Sequence, residues 1–171
     1  MKTLIRALVL LALIVWLGAE IFFPVVAAVT FTQLAPNTHA AGLIVGALLR
    51  ILHGIGLVSG IVLLALLALG IAWDIFKSRL ALAAMALLLA MVGLTAYSQY
   101  GIIPAMERDR LAVGGVVDAA PADTPARKDF DALHHRSEHV EEAIVLLGVV
   151  VVILVAGSET GPGTSARGRR P

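Results

Sequence analysis

The chain has 171 residues, 59% hydrophobic and only 15% charged, with a mean hydropathy of +0.93. That balance is too apolar for an ordinary soluble domain, and a net charge of +1 without clustered bases excludes a nucleic-acid surface. Cysteine is absent, which removes disulfides, thiolate metal sites and cysteine nucleophiles together.

Four runs are long and apolar enough to predict membrane-spanning helices at 4–31, 40–73, 80–103 and 129–156. The expected architecture is an all-α polytopic integral membrane protein, a four-helix transmembrane bundle covering 1–156. An extramembrane loop at 105–128 and a disordered cytoplasmic tail at 157–171, rich in Gly, Ser, Thr, Pro and Arg, complete the expected organisation.

The first run has features of a secretory signal, since Lys2 and Arg6 precede it and Gly18 and Ala19 are small. Leu17 is a poor residue at the cleavage-defining position, however, and the apolar run resumes after Glu20, so a retained first helix is expected. Pro24 is expected to kink or interrupt that helix, and the turn to the second helix centres near Pro36. Glu20 stands 16 residues before that centre, while Arg50 and His53 stand 14 and 17 after it, so all three reach similar depth in an antiparallel hairpin. A charge at the bilayer centre costs about 2.5 to 3.5 kcal/mol on insertion scales, so Glu20 should pair with Arg50 or His53. Such a pair serves as a structural ion pair or as a proton or substrate site.

On the second helix, Gly42, Gly46, His53, Gly56 and Gly60 share a face, a small-residue pattern that permits close helix packing or lines a narrow cavity. On the third, Gly93, Tyr97, Tyr100 and Pro104 share a face continued by Arg108, and the two tyrosines suit either interfacial anchoring or a polar vestibule. The fourth helix should begin well outside the hydrocarbon. There Phe130, His134, Ser137, Glu141 and Gly148 lie on one face, expected to turn inward, and His135, His139 and Glu142 on another. A His pair at i, i+4 with a carboxylate has the ligand types of a zinc or copper site, yet such residues also occur on solvated faces.

Several of these residues form a recognisable pattern. Phe130, Leu133-His134 and Ser137, followed by an apolar helix with Gly148, resemble the closing F-x-x-L-H-x-x-S signature of the domain-of-unknown-function 4149 family, related to transmembrane protein 205. The run Ile103-Pro104-Ala105-Met106-Glu107-Arg108 resembles that family's end of helix three. Trp16-Leu17-Gly18 with Phe31, then Ala41-Gly42 and Gly46, resemble its first hairpin. The resemblance spans roughly 7–155 and implies a four-helix integral membrane protein without a settled biochemical activity. Glu141-Glu142 make the start of the last helix more charged than the family pattern.

Two classes of function follow. In the first, a membrane binding or transport module, Glu20, Arg50, His53, Tyr97, His134 and Ser137 surround a polar substrate-binding cavity. In the alternative, a redox or metal module, His53 and a helix-four histidine, His134 or His139, ligate haem or copper, although His53 lies deeper than either. A structural subunit of a membrane complex is a third role. No cofactor or resident metal is otherwise expected, and no nucleophile, base and orienting group form an enzyme motif. The lipid bilayer is the expected partner, with a homo-oligomer or a membrane protein beside it, and no nucleic acid.

Lys and Arg fall at Lys2, Arg6, Lys77, Arg79 and in the tail, whereas the first connection has none, so both termini should be cytoplasmic in a multi-pass cell-membrane protein, bacterial inner membrane being the expected setting. A reporter fused at Lys77 should therefore report a cytoplasmic position and one fused within 114–125 an external one. The reverse pair of signals would invert the topology.

Overall fold

The computed structural model describes residues 1–158, which form helices and turns without a strand. Helix α1 runs Lys2–Gln33, α2 Thr38–Ala72 and α3 Ser78–Tyr97; a π-helical turn, Ser98–Ile102, joins α3 to α4, Ile103–Ala112. A 3₁₀ turn at Val117–Ala119 precedes α5, Pro125–Ser158. Four continuous helical stretches, the third being Ser78–Ala112, are each long and apolar enough to cross a membrane. The 32 residues of α1 alone span about 48 Å against a hydrocarbon core of about 30 Å, so helix ends project into the interface.

The helices close into a ring in which α1 lies beside α2 and α5, and α3 completes the circuit between them. Inside the ring, Leu13, Trp16, Leu63, Leu67, Leu88, Met91, Ile144 and Val151 are buried. The outside is equally apolar: Ile14, Ile51, Ile61, Leu89, Leu146 and Ile153 are exposed. A soluble monomer rarely shows such a surface, whereas a bilayer solvates it.

Glycines set the closest approaches. A Cβ on Gly56 would lie 2.7 Å from Trp16 Nε1, and one on Gly60 would collide with Val92 while meeting the Trp16 ring at 3.0 Å. These two residues thus form a notch in α2 that seats the indole. Gly148 does the same for Leu17, whose Cδ1 would stand 2.8 Å from an added Cβ. A Cβ added at Gly42 or Gly46, on the same predicted face as Gly56 and Gly60, would meet nothing within 4 Å. Only the inner half of that glycine face serves packing within the chain.

Several expectations change. Helix α1 passes through Pro24 without interruption; proline removes the donor that would meet the Glu20 carbonyl, a loss that neighbouring groups make tolerable in a membrane helix. The irregularity falls instead on the third span. There the π turn, closed by Ile103 N–H donating to the Ser98 carbonyl, precedes Pro104 in the first turn of α4. Widening the turn by one residue accommodates the proline and shifts the register. Helix α5 starts at Pro125, earlier than 129, because proline is well suited to a first turn. It also continues through Ser158, whose carbonyl accepts from Lys77 N–H at 2.6 Å and ties the ends of α5 and α3 together. The rest of the expected tail lies outside the described residues.

At the opposite end of the bundle, Asn37 caps α2, its Oδ1 accepting from Ala40 N–H at 3.0 Å. The α4–α5 connection turns at Gly114 and Gly115, with φ of 82° and 95°, and returns over this end. Thr38 Oγ1 donates to Asp118 Oδ2, and Arg127 donates to the carbonyls of Asp118 and Ala120.

Gly60→Val should destabilise the bundle by about 1 to 3 kcal/mol through overpacking against Val92 and Trp16. Gly42→Val, with open space beyond it, should leave detergent melting almost unchanged. Equal effects would show that the notch is not a packing constraint.

Candidate buried polar site

Each of the four spanning helices sends a polar side chain to one point in the ring. Helix α1 contributes Glu20, only 2% exposed, whose Oε1 accepts from Trp16 Nε1–H at 3.0 Å. The i, i+4 spacing stacks donor and acceptor on one helix face, and the Gly56–Gly60 notch fixes the indole in which the donor resides.

Helix α2 contributes His53, fully buried at 0% exposure. Its Nδ1 lies 3.0 Å from Gln99 Oε1 and its Nε2 lies 2.8 Å from Glu141 Oε1. Gln99 belongs to the π turn and Glu141 to α5, so one imidazole links three helices. Ser98 Oγ, from the same π turn, donates to the same Glu141 oxygen at 3.3 Å. Among the described residues no donor reaches Glu141 Oε2, and the carboxyl group of Glu20 adjoins that of Glu141.

This arrangement constrains the protons. An ionised Glu141 accepts from His53 Nε2–H and a protonated one donates to that nitrogen, while Nδ1 donates to Gln99 Oε1 or, with the amide turned, accepts from its NH2. A proton therefore has two alternative residences, His53 Nε2 and Glu141 Oε1, only 2.8 Å apart. Glu20 provides a third residence beside Glu141, because two adjoining carboxyls in a low-dielectric interior do not both ionise readily.

The structure places the sequence-predicted residues differently from one another. Glu20 and His53 meet at the centre, and Ser137 is buried on α5 above it. Arg50 is exposed and lies near Glu107 of α4, so the expected Glu20–Arg50 pair does not form. Matched depth holds for Arg50, but its azimuth on α2 carries it off the inner face. Tyr97 and Tyr100 are exposed, as are Gly93 and Pro104, which puts that expected inner face of the third span outside. The Tyr97 hydroxyl oxygen accepts from Arg136 Nη1–H at 3.4 Å at the surface. Thr95, Ser98 and Ile102 are the residues turned inward.

His134 also departs from expectation. Its side chain is 52% exposed, 3.4 Å from Glu138 and stacked on Phe130, because along this stretch Leu133 and Ser137 are the residues turned toward the rest of the bundle. His135 and His139 pair with Glu138 and Glu142 at the surface.

Trp16, Ser98, Gln99 and the central role of Glu141 escaped the sequence reading. Trp16 carried a legible signal in its i, i+4 spacing to Glu20. Ser98 and Gln99 stand three and four residues after Thr95, but only the packed structure shows that this face of the third span is the inner one.

Residues 11–110, more than half of the chain, match the family described as Domain of unknown function (DUF4149). The chain belongs to this family. Comparison with curated proteins and with solved structures gives no match. The matched DUF4149 region holds Trp16, Glu20, His53, Ser98 and Gln99, whereas Glu141 lies beyond it on α5.

His53→Ala leaves Glu141 without its buried partner and should cost about 3 to 5 kcal/mol in stability. Arg50→Ala, at an exposed position, should change stability by less than about 0.5 kcal/mol. Thermal melting in detergent distinguishes them, and a larger loss for Arg50→Ala would restore the original pairing.

Proposed function

We propose that this DUF4149 protein is a multi-pass membrane transport module, set in a bacterial inner membrane, that binds and exchanges protons at Glu20, His53 and Glu141. The observation carrying this reading is the 2.8 Å contact between His53 Nε2 and Glu141 Oε1 with Glu20 adjoining, contributed by three different helices. Intramembrane carboxylates and histidines mark proton relays and ion pathways because leaving them in hydrocarbon is otherwise costly. The π turn supports the same reading, since such irregular turns frequently accompany functional sites and this one contains Ser98 and Gln99, which reach Glu141 and His53.

In this reading His53 and Glu141 exchange the proton, Glu20 accepts it from Glu141, and Trp16 stabilises the Glu20 carboxylate once the proton leaves. Gln99 and Ser98 orient the imidazole and the Glu141 carboxyl. Arg50, Tyr97 and His134 stand outside the exchanging group, and no covalent catalysis is involved. Ligation of haem or copper through His53 has less support: both ring nitrogens already have partners, and among the described residues no group of three or more His, Asp and Glu is placed to hold an ion.

Infrared difference spectra across pH should show a protonated carboxyl absorption that diminishes in both Glu20→Gln and Glu141→Gln. Proteoliposomes should also lose a pH-gradient-driven internal acidification in either variant. Spectra and fluxes identical to those of the unmodified protein would overturn the proposal.

A further inference from the structure

A second polar site lies outside the buried centre, where α4 and the outer part of α5 diverge. The cleft has a volume of about 330 Å³ and is lined by Ala105, Arg108 and Asp109 from α4 and by Asp129, Ala132, Leu133 and Arg136 from α5. Pockets for small ligands begin at about 300 Å³, so the space suits a compact group.

Its charges are what call for a ligand. Arg108, Asp109 and Asp129 make no side-chain hydrogen bond or ion pair with the described residues, and Arg136 makes only the long 3.4 Å contact to Tyr97. On the same turn of α4, Glu107 and Arg110, which flank Arg108 and Asp109 in sequence, do pair, at 2.6 Å. Two guanidinium and two carboxylate groups therefore line one cleft without satisfying each other. A ligand carrying both signs at short separation would meet both sets.

Position narrows the chemistry. Tyr97 and Tyr100 are exposed, Tyr97 in contact with Arg136, as suits side chains at a membrane interface. Asp129 stands seven residues outward from Arg136 on α5, about 10 Å along the helix, which is comparable with the polar headgroup layer of about 5 to 8 Å. Ala105, Ala132 and Leu133 supply the apolar part of the lining.

We propose that this cleft binds a phosphoethanolamine group, with Arg108 and Arg136 holding the phosphate and Asp109 and Asp129 accepting from the primary ammonium. Guanidinium matches phosphate in geometry and charge. A primary ammonium donates hydrogen bonds to carboxylates, whereas a trimethylated one has no N–H to donate and glycerol carries no cation.

Binding of short-chain phosphatidylethanolamine, phosphatidylcholine and phosphatidylglycerol to the detergent-purified full chain tests the site. Phosphatidylethanolamine should bind about tenfold more tightly than either competitor, equivalent to about 1.4 kcal/mol. The double variant Arg108→Ala with Arg136→Ala should weaken it about tenfold, while Asp109→Asn with Asp129→Asn should erase the preference over phosphatidylcholine. Variants retaining the parent melting temperature make these losses specific; for any that do not, Arg108→Lys with Arg136→Lys should retain the ethanolamine preference. Glycerophosphoethanolamine binding as tightly as the lipid would assign the site to the free ester, and its failure to bind would assign it to the headgroup. Equal affinity for the three lipids, or a preference unaltered by both double variants, would overturn the proposal.

Discussion

The need to place Glu20 and Glu141 inside an apolar bundle governs the arrangement of its helices. Hydrocarbon offers no water to satisfy a carboxyl group, so each must find donors from the protein itself. Glu20 takes its donor from its own helix through Trp16, whereas Glu141 takes donors from His53 on α2 and Ser98 on the π turn. The second requirement cannot be met locally. It binds α2, the third span and α5 to one geometry, with α1 brought in by the carboxyl of Glu20.

Packing and polarity reinforce each other through Trp16. The indole is large enough to need the Gly56–Gly60 notch, and its N–H is the only polar atom that α1 offers Glu20 from one turn away. A bulkier residue in the notch would therefore displace a core side chain and a hydrogen-bond donor together. The π turn performs an analogous task on the opposite side of the ring. It begins at Ser98, and Ser98 and Gln99, three and four residues after inward-facing Thr95, reach Glu141 and His53.

The two ends of the bundle differ in kind. At the end holding Lys77 and Ser158, a backbone hydrogen bond joins α3 and α5 directly. At the other end, the connection from α4 is fastened to α2 by Thr38 and Asp118 and to α5 by Arg127. That fastening leaves the charged cleft between α4 and α5 open, beyond the polar centre around His53 and Glu141. The molecule thus presents a largely buried polar cluster among the spans and a separate, exposed polar surface at one end.

The amino-acid sequence alone determined the four-helix membrane architecture, because long apolar runs have few alternatives in hydrocarbon and loops interrupt them visibly. It also determined that Glu20 and His53 reach the same depth, which follows from counting residues on either side of a turn. Depth, however, is one coordinate of two. Azimuth decided that Arg50 faces outward while His53 faces the core, and it depends on how neighbouring helices rotate to bury Trp16 and satisfy Glu141. Likewise, Tyr97 appeared on an inner face under regular helical periodicity, but the packed third span turns Thr95, Ser98 and Ile102 inward and leaves Tyr97 at the surface. His134 shared a face with Ser137 and Glu141, yet only the inner part of that face meets the ring; farther out, α4 packs on a different side of α5. Tertiary structure alone decided these positions, since a helical pattern specifies which residues share a face but not which partner that face will meet.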